Sequence, residues 1–96
     1  MKVTVEFLSL PLLTKLVGGK SIEVDFDGNT LGELIEHLCR RYGQNFRQFV
    51  YDRESGGLEP SLRLLLNGQE WLDRNQLDRR LQPGDRLSLM MLVGGG

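Results

Sequence analysis

Residues 30–43 carry every mark of one helix, and that helix limits what the rest of the chain can form. Thr30 stands where an N-cap belongs and Glu33 follows three residues later, the pattern of a capping box. Leu31, Leu34, Ile35, Leu38 and Tyr42 recur at helical spacing. Arg40 and Arg41 fall in the last turn, where cations suit the helix dipole, and Gly43 is a natural stop. An apolar stripe must be buried, and the segments on either side alternate like strands. The stripe is therefore expected to lie across a sheet.

The first of those segments, residues 2–8, puts Val3, Val5 and Phe7 on one side and Lys2, Thr4 and Glu6 on the other. Residues 9–19 contain Pro11 and Gly18-Gly19 and read as an apolar hairpin loop. Residues 20–26 then alternate again, with Ile22, Val24 and Phe26 inward. Beyond the helix, Phe46, Phe49 and Val50 suggest a short second helical turn in 44–51, and residues 52–61 read as an exposed polar loop with Gly56-Gly57 as a turn. Leu62–Leu66 is an apolar strand ending at Asn67-Gly68, a strong turn signal. A short strand at 69–72, one helical turn at 75–81, a turn at Pro83-Gly84-Asp85 and a last strand over 86–93 complete the pattern. The first and last strands lie at opposite ends of the sequence, too far apart for a tight hairpin, and can pair in parallel at the middle of the sheet. The expected fold is α+β: a mixed four- to five-stranded sheet with one main helix packed across it. Its core is expected around Leu31, Leu34, Leu38, Val5, Val24 and Leu64, in a domain over 1–93 with a flexible glycine tail over 94–96.

A chain of 96 residues suits one domain. Its formal net charge of −1 disfavours bulk electrostatic binding to nucleic acid. Cys39 is the single cysteine, so an internal disulfide is impossible and a reducing compartment fits best. No stretch approaches the ~20 apolar residues of a membrane span, and no signal peptide is evident. These features suggest a soluble cytoplasmic protein with neither a membrane nor a nucleic-acid partner. Cys39 reads as core packing, and His37 has no constellation of metal ligands around it. Trp71 reads as packing at the sheet rim, with partner contact as the alternative, and Arg40, Arg41, Arg79 and Arg80 as solvated surface, with steering of an acidic partner as the alternative.

The last residues do not fit a purely structural reading. Strand-like sequence runs directly into Gly94, Gly95 and Gly96. Glycine costs the most entropy to order and offers no side chain to pack, so such a tail stabilises nothing. It is thin, it ends in a carboxylate, and at ~3.3–3.6 Å per residue Leu92 to Gly96 can reach about 16–18 Å into a partner's active site. If Leu87, Leu89, Met91 and Val93 face inward, Met90 and Leu92 sit exposed beside it as a partner interface. Burial of these two side chains under 9–17 is the alternative.

The strand order resembles the β-grasp (ubiquitin-like) fold. The chain is similar to that fold's sulfur-carrier branch, the small proteins that serve molybdopterin and thiamine synthesis. The resemblance rests on Val3 to Phe7, Asn29-Thr30-Leu31, Leu66-Asn67-Gly68, Pro83-Gly84-Asp85 and the terminal Val93-Gly94-Gly95-Gly96. Met91 and Leu92 stand where that pattern often has prolines, which bears on the pathway more than on the chemistry.

The resemblance implies a protein-bound substrate and not an enzyme. Gly96 would carry the carboxylate that an adenylating (E1-like) enzyme activates with ATP, and a sulfur donor such as a cysteine desulfurase would convert it to a thiocarboxylate. Gly94 and Gly95 would enter the partner's site, with Met90, Leu92 and Val93 at the interface and a sulfur-accepting synthase as the recipient. ATP would be used by the partner, with no cofactor or metal held by this chain. A ubiquitin-like modifier joined to lysines through Gly96, and a plain β-grasp interaction module, are the alternatives.

Overall fold

The computed structural model describes residues 1–91. Along the chain run β1 (Lys2–Leu8), α1 (Pro11–Val17), β2 (Ser21–Asp25), α2 (Leu31–Tyr42), α3 (Gln44–Val50), β3 (Leu62–Leu66), β4 (Glu70–Leu72) and β5 (Arg86–Met91). The strands form one mixed sheet in the order β2-β1-β5-β3-β4. β1 and β5 pair in parallel from Thr4 opposite Arg86 to Leu8 opposite Met90, and the other neighbours are antiparallel. This is the expected β-grasp arrangement, with the first and last strands side by side in the sheet.

One face of the sheet is covered. Val3, Val5 and Phe7 of β1, Leu87 and Leu89 of β5, and Leu62, Leu64 and Leu66 of β3 meet Leu31, Leu34, Ile35 and Leu38 of α2 in one buried cluster. All six residues expected at the core are in it. Phe46 of α3 stands edge-on to Phe7, with ring centroids 6.4 Å apart. The expected capping box is present: Glu33 N donates to Thr30 Oγ1 at 3.2 Å, and Glu33 Oε1 accepts from Thr30 N at 3.2 Å. At the β3–β4 turn, Asn67 and Gly68 both take positive φ, 55° and 68°, and Gln69 N closes the turn on Leu66 O at 3.0 Å. These are the left-handed residues that a tight hairpin of this twist requires.

Two segments depart from the sequence-based expectation. Residues 9–19 are not a plain hairpin loop: Pro11–Val17 is helical. Pro11 occupies the first helical turn, where its missing N–H costs nothing and its fixed φ is already helical. Gly18 ends the helix in the left-handed conformation, and its N–H bonds to Thr14 O at 3.0 Å. Leu13 is buried while Leu16 and Val17 pack against the core, a helical spacing.

The second departure is at 75–81, where turns replace the expected helical turn. Its polar side chains bond the local backbone, Gln76 Oε1 accepting from Asp73 N at 2.7 Å and Asp73 Oδ1 from Asn75 N at 2.8 Å. Its carbonyls point away to α2: Leu77 O accepts from Gly32 N at 2.8 Å and Arg79 O from Leu31 N at 2.9 Å. A carbonyl used on another element is lost to a local helix. The 52–61 loop is largely exposed as expected, but Leu58 within it is buried and bridges to Tyr51.

Candidate functional site

β5 is the structural root of the site. It is the central strand, fixed by β1 on one side and β3 on the other. Its C-terminal end is aligned by Leu8 opposite Met90 on β1, and by Arg63 opposite Met90 and Leu62 opposite Met91 on β3. Whatever follows Met91 leaves from a point held by the core. Leu92, Val93, Gly94, Gly95 and Gly96 lie outside the described residues, so of the expected site residues only Met90 is placed.

Met90 is half-buried, not exposed. It belongs to the sheet face opposite the helices, in one row with Leu8 and Arg63, whose side chains flank it. Ser88, two residues earlier on the same face, is only 3% exposed, because Glu6 and Leu65 stand on either side of it. On a central strand the neighbouring side chains shield an outward residue even where no helix covers the face. Glu6 and Arg86 form an ion pair at 3.4 Å near the far end of that face.

Trp71 departs from the expectation more sharply. It does not pack at the rim but is 60% exposed, on β4 at the sheet edge. Leu8 is also exposed. Together with Met90 they give the uncovered face an apolar character at the end from which the chain continues.

Other sequence candidates fall into structural roles. Cys39 is buried, and burial pushes its thiol up to about 11, far from the range of a reactive thiolate. His37 tilts against Phe26 with ring centroids 6.2 Å apart, and its Nε2 has no partner among the described residues. Arg79 is not merely solvated but grips the Glu70 carboxylate with both terminal nitrogens. Among the described residues no group of three or more His, Cys, Asp or Glu is placed to hold a metal, and no helix is long and apolar enough to cross a membrane.

A helix N-terminus is a ready anion site when its first N–H groups are free. At α2 they are taken, by Arg79 O, Leu77 O and Thr30 Oγ1. No signal in the sequence announces this closure, because it depends on where 77–79 crosses the helix. The helix start is therefore not a phosphate cradle.

The model of the ThiS family matches residues 12–96, most of the chain. The chain belongs to the ThiS family. Solved structures agree on the fold. The crystal structure of SAMP1 from Haloferax volcanii is 24% identical, with each chain covered in full and a TM-score of 0.77. A chain in the crystal structure of the Amycolatopsis orientalis BexX/CysO complex is 26% identical, with 98% of this chain and 99% of that one covered and a TM-score of 0.71. The crystal structure of Mycobacterium tuberculosis CysO is 25% identical, covering 95% and 99% at a TM-score of 0.71. By sequence alone, none of the curated proteins matches the chain significantly. This ThiS-family member is thus a small protein of the ubiquitin-like sulfur-carrier family.

Proposed function

We propose that this ThiS-family chain is a sulfur carrier and that Gly96 is its reactive residue. The observation that carries the reading is the placement of the last strand: it is the central strand of a β-grasp sheet, described as far as Met91, and the sequence then continues Leu92-Val93-Gly94-Gly95-Gly96. A carboxylate is an anion at neutral pH and too unreactive to take up sulfur unaided. An adenylating enzyme would supply ATP, the Gly96 carboxylate oxygen would attack its α-phosphorus, and pyrophosphate would leave. The terminal sulfur of a donor persulfide, such as a cysteine desulfurase carries, would then attack the acyl carbon and expel AMP, and a second thiol would cleave the S–S bond of the acyl disulfide, leaving a disulfide on the donor side. The thiocarboxylate so formed would pass its sulfur to an accepting synthase. Gly94 and Gly95 would thread a channel that admits backbone and little else, with Met90, Leu92 and Val93 at its mouth.

This chain's own part in that chemistry is placement. The body holds the base of the tail at a fixed point, the tail supplies reach, and acid, base and nucleotide-binding groups come from the partner.

Intact-mass analysis of protein isolated from its native host tests the reading. One sulfur in place of one oxygen adds about 16 Da, as thiocarboxylate chemistry requires. A mass corresponding to an isopeptide adduct on another protein's lysine, with no thiocarboxylate, would support the modifier alternative instead. Gly95→Val places a branched, stiff side chain in the channel. It is expected to abolish ATP–pyrophosphate exchange with the activating enzyme while leaving the melting temperature unchanged.

A further inference from the structure

Asn67 does more than bend the β3–β4 turn. The pairing of β3 with β5 runs from Leu62 opposite Met91 to Leu66 opposite Leu87, and Asn67 carries it one residue further. Its N–H donates to Arg86 O at 2.7 Å, and its side-chain Oδ1 accepts from Arg86 N at 2.8 Å. Asn67 Nδ2 donates to Asp85 Oδ1 at 3.0 Å, and Asp85 Oδ2 accepts from Gln82 N at 2.7 Å. An N–H stands at one end of this carboxamide and a carboxylate at the other, so the group fits in one orientation only. Asp85 O in turn accepts from Thr4 N at 2.9 Å. One side chain thus ties the end of β3 to the point where β5 enters the sheet beside β1.

The same dipeptide is chemically vulnerable. Of the four asparagines only Asn67 is followed by glycine. Glycine has no side chain to obstruct its own nitrogen, and Gly68 N has no hydrogen-bond acceptor among the described residues. Gly68 N, after losing its proton to water, attacks Asn67 Cγ. A five-membered succinimide forms, and the side-chain nitrogen leaves as ammonia. Water then opens the ring at either carbonyl and gives aspartate or isoaspartate.

The native arrangement opposes the first step. Attack needs the carboxamide turned over Gly68 N, whereas the bonds to Asp85 and Arg86 hold it toward β5. The product opposes the return. A carboxylate at position 67 still accepts from Arg86 N, but its second oxygen meets Asp85 Oδ1 where Nδ2 stood, and at neutral pH two anionic acceptors share no hydrogen. The arginines beside this junction already have carboxylates of their own: Arg86 Nε pairs with Glu6 at 3.4 Å, and Arg79 holds both Glu70 oxygens.

We propose that Asn67 is a deamidation site gated by opening of the β3–β4 turn, and that the reaction unlatches the start of β5. The fold protects an asparagine that the sequence leaves vulnerable, and local opening exposes it to a step that is not reversed on closing. The mark falls on the strand from which the tail continues, and it is independent of what Gly96 does.

Peptide mapping by mass follows the reaction during incubation of the intact protein at mildly alkaline pH, since exchange of the amide NH2 for OH adds about 1 Da. Conversion at Asn67 is expected to be slow in the native protein and about tenfold faster or more in guanidinium, where protection is gone. Folded Asp85→Ala is expected to convert several-fold faster than native wild type. Equal wild-type rates with and without denaturant, or a wild-type rate in folded Asp85→Ala, would overturn the gate. The latch is tested without waiting for the reaction. Asn67→Asp is expected to unfold at lower denaturant than wild type. Adding Asp85→Asn should recover most of that loss, because an amide at 85 donates to the carboxylate at 67 while its oxygen keeps the bond from Gln82 N. Wild-type stability in Asn67→Asp, or a double variant no more stable than Asn67→Asp alone, would overturn the latch. The two wild-type rates and the paired exchange decide the matter even if Asp85→Ala does not fold.

Discussion

The Gly32 N–H points straight at the Leu77 carbonyl, 2.8 Å away, and a Cβ added to Gly32 would lie 3.0 Å from that same oxygen. One contact thus joins the first turn of α2 to the irregular segment that leads to β5. In an exposed helix, replacing glycine by alanine gains about 0.5–1 kcal/mol. Here the methyl meets a backbone oxygen that can retreat only by stretching the hydrogen bond it accepts. Gly32→Ala is expected to lose about 1 kcal/mol net, the low end of the range for overpacked sites, measured by urea denaturation. A gain instead would show that 75–81 yields freely.

The same helix start makes stability depend on pH. Glu33 accepts hydrogen bonds from Asn29 N and Thr30, and these hold its carboxyl below the usual 4.5. A group whose pKa is lowered by folding stabilises the fold above its unfolded value, and that stabilisation is lost as pH falls through the folded value. At neutral pH Glu33→Gln should therefore unfold at lower denaturant than wild type. Below the carboxylate range the two midpoints should converge. A gap of the same size at both pH values would mean that the Glu33 charge plays no part in the cap.

Two leucines of the helical layer should respond very differently to truncation. Leu34 has no exposed surface, and Leu34→Ala is expected to cost about 2–5 kcal/mol, as for a core cavity. Leu12, on α1, is 69% exposed, and Leu12→Ala should fall within about 0.5 kcal/mol of wild type. Thermal or chemical denaturation of both variants checks the pair at once. A costly Leu12→Ala would mean that the outer face of α1 is covered in solution.

Cys39 offers a probe of opening. Buried on the core side of α2, and with a thiol raised to about 11, it should resist iodoacetamide in the native protein. Its alkylation, followed by mass, should accelerate in step with the fraction unfolded as urea is added. Fast labelling without denaturant would place an opening motion at α2.

Much of this fold is legible in the sequence because its chemistry is local. Thr30 and Glu33 cap a helix within one turn, Asn67-Gly68 bends a hairpin within four residues, and alternation in β1 and β2 needs only the strand itself. The parts that sequence misplaces depend on distant partners or on a residue with two uses. Pro11 and Gly18 punctuate loops, yet in these positions they open and close α1. The 75–81 segment carries helical apolar spacing, but its carbonyls are drawn off to Leu31 and Gly32. Trp71 reads as packed because aromatic residues usually are. Nothing in its neighbours along the chain reveals that it sits on the edge strand. The tail and its glycines stand out as a candidate site from their composition, whereas the bonds that join Asn67 to Asp85 and Arg86 exist only in three dimensions.

The strand order has a consequence for how the molecule comes into being. β2 and β1 can form a hairpin early, and so can β3 and β4, but neither pair touches the other without β5 between them. The strand that joins the two halves is the last of the described strands to be made. Until it arrives, a nascent chain holds two exposed edges and a core that lacks its central strand, the slow and vulnerable situation of a fold closed by non-local pairing. A message cut short before residue 86 yields two hairpins with no strand pairing between them, not a smaller working domain. A finished sheet is therefore a certificate of read-through, and a partner that recognises the folded body has verified that translation reached the threshold of the tail.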